Sequence, residues 1–336
     1  VIFKIYSIKG GENMTNPLFV FEEAKRIACK ASIQIEGLSG RGKSGLALLL
    51  AYYLSGEDWT KVFAIDTENK SLKLFRDLVS SAEVPYGAFQ IGELTADIGY
   101  KPSNYLAFRE VAKTNGAKAV IEDSISHAWQ YKGGVLDMVN DAKRSSVRYQ
   151  KDSYAAWSDE KVMEEKLKLM ELLRDDGVHV ITTTRVKEKM EYGQEAGKTT
   201  LISLGEQQIQ QSELKYEPDL VLHMLKAGSN NSKGIQNPVA KVIKSRYAIF
   251  QLDEEYEFTP SLMRQLKSYL EEGVDPAEIA AQQQEEYVAA VKDYLDSHPN
   301  AKAIWKVMKK DAGFDDNKLE ELPLDGLKKL YIKLIS

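Results

Sequence analysis

Gly37-Leu38-Ser39-Gly40-Arg41-Gly42-Lys43-Ser44 constrains this chain more than any other stretch. Gly37, Gly40 and Gly42 let backbone N–H groups turn inward around an anion without side-chain clash. In this G-x-x-x-x-G-K-S spacing, Lys43 is placed to reach the β- and γ-phosphates of a nucleoside triphosphate and the Ser44 hydroxyl to hold Mg²⁺. A helix starting there aims its positive end at the same anion. So short a motif also arises by chance, and its flanks decide. Ala31-Ser32-Ile33-Gln34-Ile35-Glu36 alternates as a strand does, and Gly45-Leu46-Ala47-Leu48-Leu49-Leu50-Ala51 is apolar all round, as a buried helix is. Strand, loop and helix therefore follow in the required order, against the alternative of an ordinary glycine-rich turn.

The 336 residues suit one large α/β domain with an appendage. Their 43% hydrophobic and 28% charged content is ordinary for a globular chain. No apolar run approaches the ~20 residues that span a bilayer, and no secretory signal is visible, so the expected location is the cytoplasm of a bacterial or phage-infected cell, with no membrane partner. Cys29 is the only cysteine, which excludes an internal disulfide and a cysteine-rich metal site. A net charge of −5 argues against non-specific nucleic-acid binding by the whole surface but allows a local basic groove. Lys9-Gly10-Gly11-Glu12 can be encoded by AAA-GGA-GGA-GAA, which contains a purine-rich ribosome-binding sequence. Residues 1–16 are expected to be a leader, with Val1 to Asn13 translated upstream of a true start at Met14.

From Pro17 to Tyr256 strands and helices alternate, which predicts an α/β fold with a mostly parallel sheet between helices. Strands are expected at Lys61–Asp66, Lys118–Asp123, Gly177–Thr184, Asp219–Met224, Ala240–Ile243 and Ala248–Leu252. Helices are expected at Ser71–Ser80, Tyr105–Thr114 and Glu160–Asp175. Tyr131–Tyr154, with Gly133-Gly134, and Lys187–Gln211, with Gly193, Gly197 and Gly205, read as long functional or disordered loops. After Tyr256 the composition turns helical: residues 257–336 are expected to form a small C-terminal region with helices at Pro260–Glu272, Pro276–Ser297, Ala301–Ala312 and Leu324–Ile335, punctuated by Gly273, Pro299, Gly313 and Pro323.

The phosphate loop needs partners. Asp123 ends an apolar strand and suits the carboxylate that holds Mg²⁺, while alternation sends the adjacent Glu122 to the other face. Glu68, beyond the neighbouring strand, faces the same crevice and reads either as the general base for water or as a helix-capping acid ahead of Ser71. Glu122 is the competing candidate for the base. A hydroxyl at Thr183, in Thr182-Thr183-Thr184, either senses the γ-phosphate or is β-branched strand filler. Lys244 and Arg246, two apart on a strand, point the same way and suit the γ-phosphate of a neighbouring subunit, or else form a solvated basic strand end.

In this order, these motifs resemble RecA-like P-loop ATPases, and most closely the phage-encoded AAA-domain nucleotide-binding proteins that include Sak-type single-strand annealing ATPases. The resemblance runs from about Phe19 to Asp253, through Gly37–Ser44, Ala64-Ile65-Asp66-Thr67-Glu68, Val120-Ile121-Glu122-Asp123-Ser124-Ile125-Ser126-His127-Ala128-Trp129, Val180–Lys187, Tyr216–Leu222 and Lys244-Ser245-Arg246. It implies a RecA-like P-loop NTPase core at residues 17–256. It also implies Glu68 as the water-orienting glutamate and Asp123 as the Walker B acid. Thr183 falls near the glutamine that couples nucleotide state to DNA, and the change of residue departs from that coupling. Lys244 and Arg246 match fingers acting in trans, which implies a homo-oligomeric ring or filament with ATP and Mg²⁺ between subunits. The two excursions match DNA-lining segments, and Lys143, Arg144, Arg148, Tyr149, Lys187 and Lys189 are candidate single-strand contacts by their mix of cations and an aromatic.

The expected function is a DNA-stimulated ATPase acting on single-stranded DNA in phage or prophage recombination or replication. The alternative is a nucleotide-switched helicase loader or scaffold with little turnover, recruiting a helicase or single-strand-binding protein. A small-molecule kinase fits less well, because the basic pair at Lys244 and Arg246 lies far along the chain and not in a lid.

Overall fold

In the computed structural model, β1 (Ser32–Gly37) runs into α1 (Lys43–Leu54), as the motif's flanks predict. The structure describes residues 24–68, 70–78, 85–152, 154–175, 177–195, 198–209, 212–225, 237–298, 300–314 and 318–335, without the side chains of 188–208 and 335. The expected leader and Met14 lie outside them. The order continues β2 (Val62–Asp66), β3 (Gln90–Glu93), α2 (Pro102–Thr114), β4 (Ala119–Asp123), α3 (Ser126–Gln130), α4 (Val135–Ser145), α5 (Val147–Lys151), α6 (Glu160–Glu171), β5 (His179–Glu195), β6 (Lys198–Gln208), β7 (Leu220–Met224), β8 (Val239–Ser245), β9 (Glu255–Glu257), α7 (Pro260–Glu271), α8 (Pro276–Ser297), α9 (Ala301–Asp311) and α10 (Leu324–Ile335). The chain divides into two compact units, Lys30–Leu270 and Val1–Cys29 with Glu271–Ser336.

In the larger unit the sheet runs β3-β2-β4-β5-β1-β7-β8-β9. Pairing is parallel from β3 to β7 and antiparallel from β7 to β9. One strand, β5, separates the strand that leads into the glycine loop from the strand that ends in Asp123. Side-chain alternation builds a core on each face. Ile33, Ile35, Ala64, Ile121, Ile181 and Leu222 pack with α1, whose leucines are fully buried. Val120 and Val180 turn the other way, towards Ala112 of α2. Further along that face Ile65 joins Tyr105, Ile125, Val139 and Leu169 beneath α2, α4 and α6. Each fully buried aliphatic side chain favours the fold by about 1.5–3 kcal/mol. This is an α/β P-loop NTPase core.

Several local elements differ from the sequence pattern, each for a physical reason. Residues 131–154 are not a loop: Val135, Val139 and Ala142 give α4 a buried stripe, and Trp129 stacks on Trp157 with ring centroids 6.0 Å apart. Nor is 187–211 a loop, because β5 runs on past the sheet and pairs with β6 as an antiparallel ribbon. The described part of the expected helix Ser71–Ser80, up to Leu78, is not an α-helix. Only a 3-10 turn (Ser71–Phe75) forms, bracketed by Lys70 and Asp77 in the left-handed region at φ 67° and 65°. Ala248–Leu252 is a turn that brings Phe250 against Phe258, with β9 following it. α7 buries Met263, Leu266 and Leu270 in the core around α1, and the larger compact unit runs to Leu270.

The smaller unit contains α8, α9 and α10, which bury Val291, Trp305, Met308, Leu322 and Leu327 against one another.

Candidate functional site

The carboxyl ends of β1, β2 and β4 lie level with Thr183–Arg185 of β5 along one edge of the parallel sheet, the place where such sheets bind ligands in a crevice. Its floor is the glycine loop. Gly37 has φ 149°, and a Cβ there would sit 3.0 Å from that of Met224. Gly42, in the left-handed region at φ 85°, turns the chain into α1. Side chains at these positions would strain the backbone or collide with β7. The Lys43 ammonium donates to the carbonyls of Gly37 at 2.9 Å and Leu38 at 3.0 Å, which holds it over the loop. Arg41 stands half-exposed on the loop, beside Gly40, where nothing approaches within 4 Å of an added Cβ.

Asp123 reaches this loop directly. Its Oδ2 accepts the Ser44 hydroxyl at 2.6 Å and its Oδ1 accepts the Thr183 hydroxyl. Burial pushes the carboxyl above its ordinary range, and the two hydroxyl bonds oppose that shift. Ser44 and Asp123 together form a small pair of hard oxygen donors. Among the described residues no group of three or more His, Cys, Asp or Glu forms a self-sufficient metal cage. Two protein oxygens that leave the remaining positions to water and phosphate suit Mg²⁺.

Glu68 is placed by its neighbours. The Asp66 carboxylate accepts from the backbone N–H of Glu68 at 2.7 Å and of Leu72 at 3.0 Å, which fixes the turn after β2. Thr67 stitches that turn to β4: its N–H donates to the Asp123 carbonyl at 2.8 Å, and its hydroxyl accepts the Ser124 N–H at 2.8 Å. His127 Nδ1 lies 2.7 Å from the same hydroxyl. Burial pushes this imidazole down to about 4, so it is neutral at pH 7. Glu68 Oε1 accepts from Ser124 Oγ at 3.1 Å and from Arg185 Nε at 2.7 Å, and Oε2 accepts from Arg185 Nη2. Burial pushes the Glu68 carboxyl up, but the Arg185 hydrogen bonds and charge more than reverse this and leave it below the usual range.

Glu122 faces away. Wholly buried, it accepts from Arg109 Nη2 at 2.6 Å. Arg109 Nη1 and Nη2 also donate to the carbonyls of Glu171, Leu172 and Arg174 at and just past the end of α6, while its buried Nε has no hydrogen-bond partner among the described residues. This pair closes a helix terminus and has no access to the crevice.

Lys244 is in β8 and Arg246 just past its end, so strand alternation does not relate them, but both reach the Tyr216 carbonyl, far from the loop of their own chain. Ser245 pairs with Leu220, which in turn pairs with Ile33, so they lie level with the amino end of β1. Lys244 donates to the Tyr216 carbonyl at 2.5 Å and Arg246 to Asp219 at 2.7 Å. Lys143 is half-buried on α4 and Arg144 pairs with Asp141. The Arg148 guanidinium lies 6.0 Å from the ring centroid of Tyr149, which packs against the core beneath α4. Lys187 is exposed at the root of the ribbon, and the Lys189 side chain lies outside the described residues.

A family described as an AAA domain matches residues 29–256. The chain belongs to this AAA-domain family. Among solved structures it is similar to the KaiC-like protein PH0186 from the hyperthermophilic archaeon Pyrococcus horikoshii OT3, with 17% identity, a TM-score of 0.38, and coverage of 68% of this chain and 84% of that one. No curated protein matches. Among the described residues, no helix is long and apolar enough to cross a membrane.

Arg185, Ser124, Thr67 and His127 are the site residues that sequence reasoning did not single out. The available signal was position: Thr67 and Ser124 follow the last residues of β2 and β4, His127 comes three residues further on, and Arg185 follows the strand expected to end at Thr184.

Proposed function

We propose that this AAA-domain protein hydrolyses ATP. The observation that carries this is the Ser44–Asp123 contact, with Glu68 held one strand away at the same edge of the sheet. In this reading the loop N–H groups and Lys43 bind the phosphates, and Ser44 and Asp123 hold Mg²⁺. When bound, the metal offsets charge on the phosphates. Thr183, through its bond to Asp123, reports the state of that centre to β5. Glu68 orients the attacking water and takes up its proton, and Thr67, Ser124 and Asp66 fix its place.

The substrate-level reading is action on single-stranded DNA in phage or prophage recombination or replication, with the chain assembled as a ring or filament. Two placements favour it. Lys244 and Arg246 lie too far from their own loop to act in cis, which suits fingers on a neighbour's γ-phosphate. Lys187 and the Lys143–Tyr149 stretch carry cations with an aromatic. One observation favours the alternative, a loader or scaffold with low turnover: both oxygens of Glu68 are engaged by Arg185.

ATP turnover with and without an oligo(dT) strand separates the two. The ATPase reading expects DNA-stimulated hydrolysis that disappears in Lys43→Ala together with ATP binding. Normal turnover in Lys43→Ala would refute it, and unstimulated low turnover in the wild type would favour the loader. Mixing Arg246→Ala with Lys43→Ala subunits should restore part of the activity if the fingers act in trans.

A further inference from the structure

Glu68, Arg185 and Tyr131 form a continuous chain from the crevice to the surface. Arg185 Nε and Nη2 take one oxygen each of Glu68, and Nη1 donates to Tyr131 Oη at 2.9 Å. With Ser124 also bound to Oε1, three of the roughly four acceptor positions of the carboxylate are filled. Glu68 in this arrangement is a hindered base.

Arg185 also sits where two anions could compete for it. Its Cα pairs in register with Gly37, the first residue of the phosphate loop. Its backbone lies at the root of the β5–β6 ribbon: its N–H donates to Ser126 Oγ at 2.9 Å and its carbonyl accepts the Ile209 N–H at 2.8 Å. The Arg185 side chain is one-third exposed, and Tyr131 beside it is 38% exposed, its ring lying 4.2 Å from that of His127. Lys132 and Lys187 are exposed next to them in sequence. A guanidinium fork binds phosphate in the same bidentate way as carboxylate, so the exchange costs it no hydrogen bonds.

We propose that Arg185 is a latch on Glu68, opened when a phosphate oxyanion displaces the carboxylate. That chemistry is presented both by the bound nucleotide and by a single-stranded nucleic acid lying across Tyr131. The proposal rests on the reading of Glu68 as the base. The other titratable or charged groups facing Glu68 are His127 of α3, Asp123 of β4, Asp66 of β2 and Tyr100 ahead of α2. Among these, Arg185 is the cation that engages both carboxylate oxygens, and it holds Glu68 below its usual range.

The test is steady-state ATP hydrolysis by the full chain, as wild type, Arg185→Gln, Arg185→Lys and Glu68→Gln, across pH and with or without oligo(dT). The latch predicts that Arg185→Gln raises basal kcat by roughly an order of magnitude, a fraction of the 10²–10⁴ that a positioned base supplies. It also predicts that the acid limb of the kcat profile moves to higher pH, because Glu68 loses the partner that stabilises its charge. If nucleic acid opens the latch, KM for ATP is unchanged, oligo(dT) brings the wild type to the level of Arg185→Gln, and that variant no longer responds. If the nucleotide opens it, saturating ATP has already released most of Glu68, so the gain in kcat and the shift of the acid limb are smaller than these, KM for ATP rises in Arg185→Gln, and oligo(dT) has no effect on the wild type. Should Arg185→Gln fail to fold, Arg185→Lys, which keeps the charge without the fork, should still exceed the wild-type basal rate. A slower variant with an unmoved acid limb overturns the latch. Undiminished hydrolysis in Glu68→Gln overturns instead the reading beneath it.

Discussion

Glu122 and Asp123 are adjacent on β4, both are buried, and they occupy opposite kinds of site. Glu122 lies between sheet and helices, paired with a guanidinium that also donates to carbonyls at the end of α6. Asp123 lies at the crevice, held by the Ser44 and Thr183 hydroxyls. A charge partner cannot be withdrawn from a dry interior without leaving an uncompensated ion. A hydroxyl partner exchanges at little cost for a metal or water. The contrast teaches where chemistry is available: at the carboxylate whose partners are neutral and replaceable.

Removing Glu122 should have the largest effect on stability. Glu122→Ala is expected to cost about 3–5 kcal/mol, because Arg109 is left charged and buried. Chemical denaturation measures this, and a loss below 1 kcal/mol (roughly a surface effect) would erase the distinction between the two acids.

Acid should act next, at His179 where β5 begins and at His127 in α3. His179 Nδ1 accepts the Ala31 N–H at 2.9 Å and is pushed by burial down to about 3, and His127 at the crevice to about 4. Both stay neutral in the fold, whereas the unfolded chain takes up protons below the ordinary histidine value of 6.5. Stability is therefore fully present above pH 6.5 and falls by about 1.4 kcal/mol per pH unit per histidine below it, until the folded values are reached. Denaturation midpoints from pH 7 to 4.5 should show this slope, halved in His179→Gln. Because burial raises the carboxyls of Asp66, Glu122 and Asp123 and so opposes this slope, the decisive comparison is between the two proteins: the same slope in His179→Gln as in the wild type would mean that His179 is not held neutral.

The smallest stability effect should come from the crevice. Thr183→Val removes one hydrogen bond to Asp123 and is expected to cost about 1 kcal/mol or less. Its larger consequence should be weaker coupling between bound nucleotide and any DNA affinity. Equal DNA affinity with and without nucleotide in the wild type would remove Thr183 from that role.

The glycine loop and the strand-end positions of Asp123 and Glu68 were legible in sequence because glycines at fixed spacing and acids at strand ends are local features. The different surroundings of Glu68 and Glu122 required the structure, since Arg109 reaches Glu122 from α2, on another element. Arg185 was harder still, meeting Glu68 across 117 residues of chain. The helices after Tyr131 were hidden because Gly133-Gly134 and many polar residues mask the sparse stripe of Val135, Val139 and Ala142. The ribbon from Lys187 was hidden by glycines and glutamines that weaken any strand pattern. The four C-terminal helices were readable from their Pro and Gly punctuation. That α7 packs in the core around α1 was not, because helical pattern says which face is apolar and not what covers it.

The central claim is that hydrolysis depends on Glu68 and not on Glu122. Single-turnover hydrolysis of Mg²⁺-ATP, with nucleotide affinity measured on the same samples, tests it most directly. Glu68→Gln should bind ATP as the wild type does and cleave it about 10²–10⁴ times more slowly, while whatever fraction of Glu122→Gln folds should cleave at the wild-type rate. Full-rate cleavage by Glu68→Gln, with cleavage lost in folded Glu122→Gln, would contradict the account.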